Sequence, residues 1–182
     1  MTKIIINYQK YFILTLLTFS IFSCSGNSEK DSEVDIFDGR YDSKVFTKDS
    51  FNELEFKFSK EYDVSELPDA IEAHYGFWER REFEIRFYPS NQIAKSSGTF
   101  YAEEATGEDA IIKKSDATWK EGIKDRMTSG AFGNKKNTPK YLDYVILGNM
   151  IVLCPIEISS SEIGASDPME NCRNMLSKLS ID

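Results

Sequence analysis

Two stretches of strict alternation set the frame for what this chain of 182 residues can fold into. Leu54, Phe56 and Phe58 alternate with Glu53, Glu55 and Lys57, and Phe83, Ile85 and Phe87 alternate with Glu82, Glu84 and Arg86. Successive side chains of a strand point to opposite faces, so each stretch predicts a strand with one buried and one wet face. Between them Leu67, Ile71, His74, Tyr75 and Trp78 keep the i, i+4, i+7 spacing of an amphipathic helix, with Ser65 or Pro68 near its start and Gly76 close to its end. Ser90 caps a second predicted helix that reaches toward Ala105 with a break at Gly98. Asp116 caps a third, carrying Trp119, Ile123 and Met127 on one side.

The C-terminal third reads more plainly. Tyr144–Leu147 and Met150–Ile156 flank Gly148-Asn149, a pair that tolerates positive φ and closes a tight hairpin. Both strands are apolar at successive positions, as central strands covered on two faces are. In the last helix Asp167 is the cap, Pro168 the first helical position, and Glu170 completes a capping box, with Cys172, Leu176 and Leu179 on the buried side. The order β-α-β-α-α-β-β-α predicts an α+β fold: a single two-layer sandwich with a mixed sheet of about four strands, helices packed on it, and a C-terminal β-hairpin followed by a helix.

The first residues belong to a different kind of segment. Lys3 and Lys10 precede a mostly apolar run from Tyr11 to Phe22, which falls short of the ~20 residues that a bilayer-crossing helix needs and so predicts a removable signal peptide. The run ends in Ile21-Phe22-Ser23-Cys24, which resembles the lipobox of bacterial lipoproteins, where the chain is cut just before a cysteine that becomes acylated. Phe22 is bulkier than that pattern prefers, and ordinary cleavage after a nearby serine is the alternative. The resemblance implies a lipid on Cys24, the membrane as a partner through that lipid, and a place in the cell envelope as an outer-membrane lipoprotein, facing the periplasm or the surface.

Ser25 to Asp38 carries five acids against Lys30 and only three large apolar groups, too few to offset the entropy of ordering it. The organisation expected is therefore a signal peptide over 1–23, an acidic tether over 24–50 and a globular domain over 51–182. Asp31, Glu33 and Asp35 alternate as the acids of a calcium loop do, but Ile36 stands where the loop needs glycine and Asp42 where it needs glutamate, so no such loop is assigned.

Without residues 1–23 the chain holds 20 basic and 30 acidic residues, a net charge of −10. That charge repels nucleic acid and anionic lipid, which excludes nucleic acid as a natural partner. Once Cys24 carries lipid, Cys154 and Cys172 are an even pair in an oxidising compartment, either bridged or separately buried as small hydrophobes. The bridge is the favoured reading. With one histidine and no C-x-x-C spacing, neither a metal site nor a cofactor is expected.

Catalytic signals are sparse. His74 is the only histidine, and its position in an apolar stripe predicts packing rather than catalysis. Asp69 and Glu72 share the wet face of the same predicted helix, where carboxylates normally serve as solvated charge. There is no G-x-S-x-G nucleophile elbow and no phosphate-binding G-K-[ST] loop, so no catalytic residue is assigned.

One asymmetry stands out. From Lys113 to Lys140 the chain has eight basic residues and three acids inside an acidic protein. Trp119, Lys120, Lys124, Arg126, Lys135 and Lys136 are the candidate ligand-binding residues, since stacking plus positive charge recognises an anionic group. The simpler alternative is a solvated helix face and loop. The expected function is that of a monomeric, lipid-anchored envelope or surface protein that binds an envelope protein or an anionic glycan. An exported hydrolase-like enzyme using His74 with nearby carboxylates is the alternative.

Overall fold

The structure, a computed structural model, describes residues 35–129, 137–155 and 167–179. These belong to one compact unit, Asp35–Asp182. The expected signal peptide, the expected lipid-attachment residue Cys24, and Lys135 and Lys136 lie outside the described residues.

Seven strands lie among the described residues: β1 (Lys57–Glu61), β2 (Glu72–Trp78), β3 (Arg81–Phe87), β4 (Met127–Ser129), β5 (Asn137–Pro139), β6 (Tyr141–Leu147) and β7 (Met150–Pro155). Five of them form one sheet in the order β1-β2-β3-β7-β6, and β4 and β5 form a two-stranded ribbon. Every pairing is antiparallel. The α+β class is as expected, and the main sheet has five strands against the expected figure of about four, but it is wholly antiparallel rather than mixed. The added strand is β2, which occupies the place of the predicted helix around His74. Its side chains are buried on one side, at His74, Gly76 and Trp78, and on the other Ala73 is buried while Tyr75 and Phe77 are half-buried. A strand with apolar residues on both faces loses its period of two, and the residues at 71, 74, 75 and 78 then mimic a helix by coincidence. Gly76 shows why a strand is required here. A Cβ on it would overlap the Phe56 ring and lie 2.6 Å from the Lys57 carbonyl oxygen of the neighbouring strand.

Helical segments lie on both sides of the sheet, so the elements form three tiers rather than two. On one side are a 3-10 helix (Lys48–Leu54), which supplies Phe51 and Leu54, and the C-terminal helix; on the other, α1 (Asn91–Ile93), a π-helical turn (Ala94–Gly98) and α2 (Thr99–Ala105) run on from one another. Ser90 caps this run by accepting the Ile93 N–H, as predicted, and the irregular turn ends at Gly98. The C-terminal helix, α3 (Pro168–Leu176), is capped by the Asp167 carboxylate, which accepts the Met169 N–H. The helix expected after Asp116 is absent: the chain from Lys113 to Arg126 runs as successive turns, and Met127 enters β4. Its inward side chains pack into a polar interior described below, which a straight apolar stripe does not fit.

The aromatic face of the sheet carries the larger core. Phe46, Phe51, Phe56, Phe83, Ile85, Phe87, Val152 and Cys154 are buried there with Cys172, Met175 and Leu176 of α3. Cys154 and Cys172 are bridged, tying β7 to α3. The folded part also starts earlier than residue 51. Phe46 is in the core, Ile36, Phe37 and Tyr41 pack against it, and Asp35 pairs with Arg173 at 2.6 Å, so residues 35–50 are part of the domain rather than tether.

Two turns position the strands. Gly148, at φ +55°, opens the β6–β7 hairpin, and the buried Asn149 side chain beside it replaces a strand partner. Its Oδ1 accepts the Phe46 N–H at 2.6 Å, and its Nδ2 donates to the carbonyls of Phe46 (3.1 Å) and Tyr88 (2.8 Å). At the β2–β3 turn both central residues, Glu79 and Arg80, have positive φ (46° and 65°). That geometry belongs to type I′ turns, where Asn-Gly is favoured because other side chains crowd the following carbonyl.

Candidate functional site

The opposite face of the sheet holds charge. Glu84 and Arg86 on β3, which alternation alone assigns to a wet face, are both 0% exposed. They are corrected from solvent to interior because β3 is central and the segment 113–126 closes over it. Arg126, at the end of that segment, donates from Nε to Glu84 Oε2 (2.7 Å) and from Nη2 to Oε1 (3.0 Å). Arg86 donates from Nε to Glu84 Oε1 at 2.8 Å. Burial by itself would raise the Glu84 carboxyl pKa, but the charges of Arg126 and Arg86 outweigh it and hold the group below its usual value.

Both guanidiniums also lie against the Trp119 ring, Arg86 at 5.0 Å and Arg126 at 4.6 Å from its centroid. Trp119 is 1% exposed, meets Tyr62 edge-to-face, and donates its indole N–H to the Asp63 carbonyl at 3.1 Å. Arg86 Nη1 and the hydroxyls of Tyr88 and Tyr141 are buried without a hydrogen-bond partner among the described residues. The single carboxylate of Glu84 serves two cations.

These facts revise two of the six candidate ligand residues. Trp119 and Arg126 are interior groups, beyond the reach of a ligand at the surface. Lys120 and Lys124 point outward from the same segment, which alternates inward anchors (Ala117, Trp119, Ile123, Arg126) with exposed charge. Thr118 fastens the segment to α2, donating its N–H (2.9 Å) and hydroxyl (2.6 Å) to the Glu104 carboxylate.

Above the buried network the surface forms a shallow basin of about 200 Å³ lined by Lys60, Lys114, Lys120 and Lys124, with Glu121, Gly122, Ile123 and Asp125. Lys60 pairs with Asp125 at 2.7 Å, and the Tyr62 hydroxyl donates to the same carboxylate at 2.8 Å. Burial opposes the charged form of Asp125, but the bonds from Lys60 and Tyr62 prevail and lower its pKa. Lys114, Lys120 and Lys124 make no ion pair among the described residues. Three unpaired ammonium groups on a segment anchored from below can hold an anionic group without first breaking an internal salt bridge. Lys60 and Lys114 complete the basin; Lys60 lies too far from the others in sequence for a charge count to join them.

His74 stands apart from this region. It sits on β2 in the aromatic face, 1% exposed, edge-on to the Phe58 ring (5.2 Å), with Nε2 at 2.8 Å from Glu72 Oε2. Asp69 does not join it, since its carboxylate accepts the Ser97 hydroxyl at 2.7 Å. Among the described residues no group of three or more His, Cys, Asp or Glu side chains is arranged to hold a metal ion, and no helix is long and apolar enough to cross a membrane.

Residues 47–180, which include all seven strands, the basin and the disulfide, match the model of a family of unknown function (DUF6810), and the chain belongs to that family. No curated protein and no solved structure matches it.

Proposed function

We propose that this DUF6810 member is an exported, lipid-anchored binding domain, tethered to the envelope through Cys24, that engages an anionic ligand at the basin of Lys60, Lys114, Lys120 and Lys124. The observation that carries the anchor is the bridge between Cys154 and Cys172. Of the chain's three cysteines it leaves Cys24 alone, directly behind an apolar run of signal-peptide length. A bridge of this kind suits an oxidising compartment, and acylation with more than one chain suits stable anchoring, at ~0.8 kcal/mol per buried methylene. Binding is favoured over hydrolysis because His74 is sealed beneath Phe58, whereas the unpaired lysines are open to solvent.

The anchor is tested by growing cells with a labelled fatty acid and comparing the wild type with Cys24→Ser. Label in the wild type, absent from the variant together with altered processing, is the expected result. An unlabelled wild type, or a variant processed as before, rejects the anchor and leaves a soluble exported domain.

A further inference from the structure

A second cleft, sharing no residue with the lysine basin, lies at the tip of the β2–β3 hairpin. It has a volume of about 650 Å³ and is lined by Glu53, Leu54, Glu55, Lys57, Phe77, Trp78, Glu79, Arg80 and Lys178. That volume lies within the range of small-molecule sites, roughly 300–1,000 Å³. We propose that this cleft binds a zwitterionic peptide-type ligand, with Arg80 and Lys57 taking its carboxylate, Glu55 its ammonium group, and the half-buried Phe77 ring its apolar body.

Backbone geometry singles the cleft out. Four non-glycine residues among those described have positive φ: Glu55, Asp69, Glu79 and Arg80. Three of the four line this one cleft. Left-handed backbone is unfavourable for side chains with a Cβ, and residues held in it by the surrounding structure concentrate at ligand sites. Glycine or asparagine would relieve Glu55 and Arg80, and a type I′ turn of Asn-Gly would replace Glu79-Arg80 with no loss of the hairpin.

Charge distribution indicates the ligand. Glu79 is already occupied, with Lys178 Nζ at 3.3 Å and Arg81 Nη1 at 3.6 Å. Lys178 also lies 4.6 Å from the Trp78 centroid, so this corner of the cleft is closed by the chain's own ammonium group. Glu55, Lys57 and Arg80 by contrast have neither an ion pair nor a side-chain hydrogen bond among the described residues. A free carboxylate and two free cations beside the Phe77 ring do not favour a simple anion, which Glu55 would repel. They match a molecule that carries both charges about an apolar middle.

The test uses the purified chain and the dipeptide phenylalanyl-leucine, followed by isothermal titration calorimetry, with N-acetylated and C-amidated forms as controls. The free dipeptide is expected to bind, and each cap to weaken it by about tenfold or more, the loss of one charged contact. Arg80→Gly and Glu55→Gly should each weaken binding to a similar extent. Because each also relieves a left-handed residue, each should raise Tm by about 2–4 °C, so lost binding cannot be ascribed to misfolding. Absence of binding, equal binding of the capped peptides, or full affinity in Arg80→Gly overturns the proposal. Preferential binding of a neutral sugar such as methyl glucoside overturns the ligand class.

Discussion

At the centre of the sheet, on β3, the two faces are equally dry and chemically opposite. Phe83 and Glu84 are adjacent on β3 and both 0% exposed, yet Phe83 enters a core of aromatic rings while Glu84 holds two guanidiniums against an indole. The aromatic face is held by area removed from water and by a covalent bridge, neither of which depends on exact partners. The ionic face depends on complete pairing, because an unpaired charge in the interior costs several kcal/mol while a paired one adds little net stability. The first face therefore serves as the keel of the domain. The second fixes the segment from which the basin lysines project.

The comparison is broken most severely at Glu84. Glu84→Gln strands two buried cations and is expected to lower the urea-unfolding free energy by about 3–5 kcal/mol. Replacing the whole set (Glu84→Leu, Arg86→Met, Arg126→Met) should recover most of that loss, because no orphaned charge remains. If the triple variant is no more stable than Glu84→Gln, the two faces do not differ in the way described.

Next in size is the bridge on the aromatic face. Cys154→Ser with Cys172→Ser opens a link of 18 residues in sequence separation and should cost about 3 kcal/mol, read from urea unfolding. The same loss is expected on adding reductant to the wild type. Asn149→Ala removes three buried hydrogen bonds at the hairpin and should lower stability by about 2 kcal/mol, checked in the same experiment.

The smallest effect is the dependence on pH, and it sharpens the contrast without mutation. Glu84 has its pKa below the usual 4.5, so the unfolded chain binds its proton first. The stability contributed by its ionised form is fully present above pH 4.5 and is lost as pH falls through the lower folded value. Urea midpoints measured from pH 7 downward should therefore fall below about pH 4.5. They should fall less steeply in the triple variant, which lacks the carboxylate.

Legibility in sequence follows the same division. The β6–β7 hairpin, the capped run from Ser90, the Asp167 cap and the two cysteines rest on local rules about turns and ends, and they emerge where those rules put them. β2 does not, because apolar residues on both of its faces erase its period. Nor do Glu84 and Arg86, whose alternation with Phe83, Ile85 and Phe87 is what a half-exposed strand would show. The signal that could have located them is indirect: β7 is apolar at every position from Met150 to Cys154, so the strand beside it is covered on both faces. The positive charge of the segment after Lys113 is plain in the sequence, but burial sorts its residues, sending Trp119 and Arg126 inward and leaving Lys120 and Lys124 at the surface. That sorting needs Lys60, Tyr62 and Glu84 to be in place, and all three are distant in sequence.

The basin itself is tested most directly by retention on an anionic-glycan column for the wild type and for Lys120→Glu with Lys124→Glu, with thermal unfolding measured in parallel. A chain of net charge −8 has no general affinity for such a matrix, so retention reports the local lysines. The account predicts a retained wild type that salt releases, and an unretained double variant with unchanged Tm. Equal elution of the two proteins would contradict it.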